Sequence, residues 1–258
     1  MSPQNEKIKT IRRLRRSKGE HAILEGPHLV GEALRLGRPF DLVVVTPEFA
    51  DSDRGAELVG ALDTPPSYVD DALLRSLADA DAPRGVLAVT RLPRLAPERF
   101  APAADSAWLY LDGIQDPGNL GALARVAEGL GATGLLLSPG CADSRHSRAL
   151  RASAGSLLRL PVVSGIAASV ARRAASPPAG WVGLEAHEGA RELTGLQLER
   201  PYVVAIGSEG AGLSADTRSA LDQSVTIRLA GGLESLNVAV AAALVLAEIE
   251  RRARRSAP

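Results

Sequence analysis

The chain has 258 residues, 45% of them hydrophobic, enough for one large domain or two modest ones with a real core. It has no apolar run of about 18 residues and its N-terminus, "MSPQNEKIKTIRRLRR", is charged, so neither a membrane span nor a secretory signal is expected and a soluble cytoplasmic protein is. A single cysteine, Cys141, excludes an internal disulfide, the four histidines give no metal-ligand spacing, and the net charge of zero hides basic stretches at both ends.

In chain order, residues 7–18 predict a basic helix carrying Lys7, Lys9, Arg12, Arg13, Arg15, Arg16 and Lys18. Such a stretch suits nucleic acid as well as it suits a solvated helix face. Aromatic residues make up only 3% of the chain, so base stacking is not the expected mode of binding. "AIL" at 22–24 reads as a strand, and "GPHLVGEALRLG" as a helix closed by Gly37. "FDLVVVTPEF" is a buried strand ended by Pro47. "SYVDDALLRSLADA" is an extended segment feeding a short helix, and "RGVLAVTRL" is another strand. Residues 1–92 therefore read as a small α/β domain.

Residues 93–106, "PRLAPERFAPAADS", have three prolines and no clean period, the mark of a linker. From 107 to 258 the alternation restarts. "AWLYLDG", "GLLLSPG", "PVVSG", "GWVGLEA" and "PYVVAIGSEG" read as strands or extended segments. "NLGALARVAEGLGA", "SRALRASAGSLLRL", "IAASVARRAAS", "SADTRSALDQ" and "SLNVAVAAALVLAEIERRARR" read as helices, with "SVTIRLAG" extended before the last. Apolar strands alternating with helices predict a parallel sheet covered on both faces.

Ligands of such sheets bind in loops at the carboxyl ends of the strands. Three loops there stand out. "LDGIQDPGNLGALAR" at 111–125 offers Asn119 and Arg125, with Asn119 also a good helix cap. "VVAIGSEGAGLS" at 203–214 runs a buried strand into Gly207, Glu209, Gly210 and Gly212. It has neither the lysine of a phosphate loop nor the dinucleotide-binding spacing, and its acid suits a ligand rich in hydroxyls or positive charge. Glu209 is equally placed to cap the next segment. "GGLESLNVAVAAALVLAEIE" at 231–250 opens a buried helix with Glu234, Ser235 and Asn237, where Ser235 is a natural cap.

Together these loops resemble the SpoU/TrmH family of RNA ribose 2′-O-methyltransferases, within the SPOUT superfamily. The likeness spans residues 107–254, with "DPGNLGALAR", "IGSEGAGLS" and "LESLNVAVAAALVLAE" in the family order. "CADSRHSRALRASAGSLLRLPV" resembles the stretch between the first two motifs, with Arg148 where family members often carry lysine. "RRSKGEHAILEGPHLVGEAL" is similar to the small ribosomal-protein-like (L30e-like) substrate-binding domain found in front of this catalytic domain.

The resemblance implies an α/β SPOUT domain with a deep C-terminal trefoil knot, a feature nearly absent from proteins and invisible to composition or period. It implies S-adenosylmethionine as cofactor, a homodimer with sites built from both subunits, and no metal. It assigns Arg125 to the attacking hydroxyl, Asn119, Glu209 and Asn237 to ordering that arginine, and Ser235 to the neighbourhood of cofactor or substrate. Gly207, Ile227 and Leu236 would hold the adenosine through main-chain groups and apolar walls. The resemblance makes Arg125 the group that activates the hydroxyl, but a guanidinium holds its proton far above neutral pH and is a poor base. Stabilising alkoxide charge or clamping the adjacent phosphate are its alternatives to acting as a base. The expected activity is methyl transfer to an RNA ribose, with ribosomal RNA (23S) favoured over tRNA. An RNA-binding protein of the same fold that has lost catalysis is the alternative.

Overall fold

The two alternating halves of the sequence fold as two sheets of different construction in a computed structural model. It describes residues 5–16, 19–80, 82–175, 178–185, 189–196, 198–230 and 235–256. Ser17 and Lys18 of the basic stretch and Gly231–Glu234 of the third motif lie outside the described residues.

The first unit begins with α1 (Glu6–Arg16), whose Ile8 and Ile11 are fully buried against Val44, Leu74 and Val89. The three-residue apolar spacing continued by Leu14 turns one face to the core and leaves Lys9, Arg12, Arg13 and Arg16 lining a shallow surface hollow. There follow β1 (His21–Glu25), α2 (Pro27–Arg35), β2 (Phe40–Val45), α3 (Pro47–Ala50), α4 (Asp53–Gly60), β3 (Ser67–Tyr68), α5 (Asp71–Leu77) and β4 (Val86–Arg91). The sheet order is β1-β4-β2-β3, with β4 antiparallel to both neighbours. The short helices α3 and α4 carry no apolar period that would announce them. They are set by the side chains of Thr46 and Ser52, which accept from Phe49 and Gly55 amides as N-caps.

The second half supplies β5 (Ala107–Asp112), α6 (Pro117–Gly129), β6 (Gly134–Leu137), α7 (Ser147–Ala152), α8 (Ser156–Arg159), β7 (Val162–Ser164) and α9 (Ala168–Ala174). It continues with β8 (Gly180–Leu184), β9 (Arg191–Glu192), β10 (Tyr202–Gly207), α10 (Ala215–Ser219), β11 (Gln223–Thr226) and α11 (Val238–Ser256). Seven strands form one parallel sheet in the order β7-β6-β5-β10-β8-β11-β9. All of β5 and β6 is buried, as continuous apolar strands under two helical layers must be. Helix α11 buries Val238, Ala242, Val245, Leu246 and Ile249 along one stripe and packs on α6. Val240 and Leu244 remain exposed on its other side.

The compact units do not follow the boundaries read from the sequence. One comprises residues 1–93 and 143–159, the other 94–142 and 160–258. Residues 94–106 are integral to the second unit rather than a plain linker. The Leu95 amide donates to the Val162 carbonyl at 3.1 Å, and buried Phe100 meets Trp108 edge-on at 5.1 Å. The crossover between β6 and β7, in turn, belongs to the first unit. Ala154 and Gly155 adopt positive φ (48° and 96°), which breaks the expected single helix into α7 and α8. Arg151 of α7 donates to the buried carboxylate of Glu25 at 2.5 Å, and Glu25 also accepts from the amides of Asp79 and Ala80. The Ser147 hydroxyl donates to Asp79 at 2.7 Å, and Arg159 pairs with Glu32 at 2.5 Å.

Candidate active site

Four neighbouring strands of the large sheet, β5, β10, β8 and β11, end side by side, at Asp112, Gly207, Leu184 and Thr226. The residues immediately after them are the ones a bound ligand would meet. A cavity of about 560 Å³ opens there, lined among others by Leu184, Glu185, Gly207, Ile227, Ser235 and Leu236. That size is ample for a nucleoside-sized ligand. Gly207, Ile227 and Leu236, read from the sequence as cofactor contacts, therefore face one space.

The glycine loop folds back over the end of β10. The Gly212 amide donates to the Ser208 carbonyl at 2.9 Å, and Gly212 itself has φ of +65°. A Cβ on Gly207 would lie 2.2 Å from the carbonyl carbon of Gly212, so only glycine fits beneath the returning loop. Asp112 secures the other side. Its buried carboxylate accepts from the Ser214 amide at 2.6 Å and the Thr217 hydroxyl at 2.7 Å, which ties the end of β5 to the start of α10. Ser214, not Glu209, caps α10.

Glu209 instead joins a polar triangle. Its Oε1 accepts from Nδ2 of Asn119 and from Nδ2 of Asn237, each at 3.3 Å, and Asn237 Nδ2 also reaches Asn119 Oδ1 at 3.3 Å. Three residues from three separate motifs thus meet at one point. The caps of their helices explain how. Asp116, rather than Asn119, caps α6 by accepting from the Asn119 amide at 2.8 Å, which leaves the Asn119 side chain for the triangle. Helix α11 starts at Val238 with Asn237 Oδ1 accepting from the Ala239 amide at 3.0 Å. Asn237, rather than Ser235, is the cap, and the bond fixes its Nδ2 toward Glu209. Ser235 is exposed on the cavity wall.

Arg125 stands apart. It lies exposed on α6 and makes no hydrogen bond or ion pair with another described residue. At about 100° per residue, six positions place it roughly 240° around the helix from Asn119. Within one chain the triangle is closed upon itself and does not touch Arg125.

Two charged residues of the cavity, Glu185 and Arg218, carry no motif. Glu185, directly after β8, accepts from Arg218 Nε at 2.6 Å and from the Ser224 hydroxyl at 3.0 Å. The available signal is positional, an acid at the carboxyl end of an apolar parallel strand. Arg148 sits exposed on α7. Burial pushes the Cys141 thiol above its ordinary value, so it stays protonated, bonded to the Leu111 carbonyl at 3.2 Å. Among the described residues there is no cluster that could hold a metal ion and no helix long and apolar enough to cross a membrane.

Known proteins are similar to this chain in sequence and fold. Residues 106–247 match the SpoU rRNA methylase family, and residues 5–88 match the MRM3-like substrate-binding domain. The chain is 29% identical to RlmP, the 23S rRNA (guanosine(2553)-2′-O)-methyltransferase of Bacillus subtilis, over 95% of this chain and 96% of that one. It is 31% identical to the 23S rRNA (uridine(2479)-2′-O)-methyltransferase of Streptomyces viridochromogenes, over 93% and 86% of the two chains. Its fold matches the crystal structure of the SpoU methyltransferase AviRb from Streptomyces viridochromogenes, in complex with the cofactor S-adenosylmethionine, with a TM-score of 0.85, 29% identity and coverage of 98% and 100%. The chain belongs to the SpoU rRNA methylase family.

Proposed function

We propose that this protein is an S-adenosylmethionine-dependent RNA methyltransferase that modifies a ribose 2′-hydroxyl of 23S ribosomal RNA in the cytoplasm. The observation that carries the reading is the Asn119–Glu209–Asn237 triangle beside a cavity lined by Gly207, Ile227 and Leu236. The residues fit the cofactor: the cradle at Gly207 has no room for a Cβ, and the cavity combines apolar walls with two carboxylates. A role in RNA binding alone would leave the triangle without a use.

Bound S-adenosylmethionine supplies an electrophilic methyl group on its sulfonium. The work left to the protein is to hold the ribose hydroxyl in line and to favour loss of its proton. Gly207, Ile227 and Leu236 hold the adenosine. Ser235 contacts cofactor or substrate at the cavity wall. The triangle keeps the Glu209 carboxylate at the mouth, where it favours positive charge. Arg125, exposed and without a side-chain partner among the described residues, approaches the substrate of a second copy, where it stabilises the developing alkoxide or clamps the neighbouring phosphate.

This assigns a homodimer with composite sites, and exposed Val240 and Leu244 on α11, the helix that packs on α6, give it an apolar contact. The deep trefoil knot belongs to the same reading. The basic face of α1 grips RNA phosphates.

Calorimetry with S-adenosylmethionine, followed by mapping of 2′-O-methyl positions in ribosomal RNA from cells with and without the gene, tests the whole. Micromolar binding and one ribose that loses its methyl group in the gene's absence are expected. No binding, together with an unchanged methylation map, overturns it.

A further inference from the structure

We propose that Glu185 is the group that receives the ribose hydroxyls of bound S-adenosylmethionine. This rests on the proposed cofactor and assigns a residue that no motif contains. The first observation is order. The strand ends run Asp112, Gly207, Leu184, Thr226 across β5, β10, β8 and β11. The polar triangle lies at the β5–β10 side through Asn119 and Glu209. The apolar walls lie at the β11 side through Ile227 and Leu236. In the cofactor the ribose lies between the sulfonium and the adenine. With sulfonium at the triangle and adenine at Ile227, the ribose falls over the end of β8, where Glu185 stands.

The second observation is chemistry. Two vicinal hydroxyls need acceptors, and among the described residues lining the cavity the charged acceptors are Glu185 and Glu209. Glu209 belongs to the triangle at the β5–β10 side, where the sulfonium is placed, rather than to the end of β8. The Glu185 side chain is 7% exposed, held from both oxygens by Arg218 and Ser224. The main chain holds it as well: the Glu185 amide donates to the Val225 carbonyl at 3.0 Å, locking the residue between β8 and β11. A preset, charge-compensated carboxylate of this kind is a strong acceptor for a sugar diol.

The test deletes the hydroxyls from the ligand as well as the carboxylate from the protein. Dissociation constants are measured by calorimetry for S-adenosylhomocysteine and its 2′-deoxy and 3′-deoxy forms. They are taken on the unaltered protein, on Glu185→Gln and on Glu185→Ala. On the unaltered protein, loss of the better-bound hydroxyl is expected to weaken binding by about tenfold or more. Glu185→Ala is expected to weaken the parent ligand by a similar factor and to shrink the deoxy penalty to less than about threefold; Glu185→Gln, which keeps one acceptor, falls between. The ligand series on the unaltered protein can overturn the assignment even where Glu185→Ala fails to fold, and the shape-conserving Glu185→Gln then supplies the coupling. An absent deoxy penalty there, or an undiminished one in Glu185→Ala, overturns the assignment of Glu185. Absence of any binding by the parent ligand overturns the cofactor reading itself.

Discussion

The backbone of Gly212 passes across Gly207 so closely that a Cβ at Gly207 would sit 2.3 Å from the Gly212 carbonyl oxygen and 2.6 Å from the Leu213 amide nitrogen. Neither contact is to a flexible side chain, so the loop as a whole must lift to admit even one methyl group. Gly207→Ala is expected to cost about 1–3 kcal/mol of stability and at least tenfold in affinity for S-adenosylmethionine. Thermal unfolding and calorimetry on the same preparation check both. Unchanged affinity would remove the loop from the cofactor site.

Arg125 has no partner among the described residues of its own chain, and that isolation makes a specific kinetic expectation. Arg125→Ala should lose most methyl transfer, by about a hundredfold or more, while binding S-adenosylmethionine within roughly twofold of the unaltered protein. In a composite dimer, Arg125→Ala mixed with Asn237→Ala should regain activity. Heterodimers carry one intact site, so a one-to-one mixture should reach about a quarter of the unaltered rate. Two inactive variants that stay inactive after verified exchange of subunits would place Arg125 and Asn237 in the same chain's site.

The proposed dimer also predicts an assembly phenotype. Val240 is 50% exposed and Leu244 42% exposed on α11, one turn apart on its outer side. Replacing both by Asp should convert the dimer to a monomer in sedimentation velocity, because burying two carboxylates costs far more than their apolar contact contributes. Far-UV circular dichroism should be unaltered. A variant that remains dimeric would put the interface elsewhere.

How much of the fold and the site is legible in the sequence depends on whether the signal is local. Apolar runs announce β5 and β10, and the Gly207–Gly212 spacing announces a close backbone approach. Asn119, Glu209 and Asn237 are legible only as family motifs, since residues 90 and 118 positions apart carry no local sign that they will touch. The caps sit two or three residues away from the expected ones for a physical reason. Ser235 and Asn119 have the right chemistry for a cap, but Asn237 and Asp116 have the right position. Helices α3 and α4 escape sequence reasoning because four or eight residues make too few turns to show a period. The allegiance of 143–159 to the first unit is invisible, because it rests on ion pairs such as Arg151–Glu25 between residues 126 positions apart.

Asp112 ends β5 outside the three quoted motif stretches, yet its buried carboxylate ties that strand end to the start of α10. Removing it takes the acceptor of the Ser214 amide at a buried strand end and leaves the Thr217 hydroxyl only the Ser214 hydroxyl, 3.0 Å away, to bond. Asp112→Ala is expected to lower the unfolding free energy by about 2–3 kcal/mol, read as a lower denaturation midpoint at constant slope. Asp112→Asn, which keeps the shape and one acceptor, should cost less. Equal stability of Asp112→Ala and the unaltered protein would show that α10 is held by other means.

Asp79 links acidity to the docking of α7 within the first unit. Its carboxyl titrates below the usual range, chiefly because the Ser147 hydroxyl donates to it, with His146, Arg151 and Arg15 adding their charges. A carboxylate depressed in the folded state stabilises that state fully above its unfolded pKa, near 3.9, and loses this contribution as pH falls through the folded value. The protection of amides in residues 143–159 against hydrogen exchange, relative to the intrinsic rate at each pH, should therefore be full at about pH 5 and fall only below roughly pH 4. Ser147→Ala removes the main cause of the depression and moves the folded pKa back toward the unfolded one. The variant should therefore be less protected already at about pH 5, and its protection should fall less steeply below pH 4, with the rest of the first unit less affected. Coincident pH profiles for the two proteins would show that Asp79 does not hold α7, and that Glu25 with Arg151 suffices.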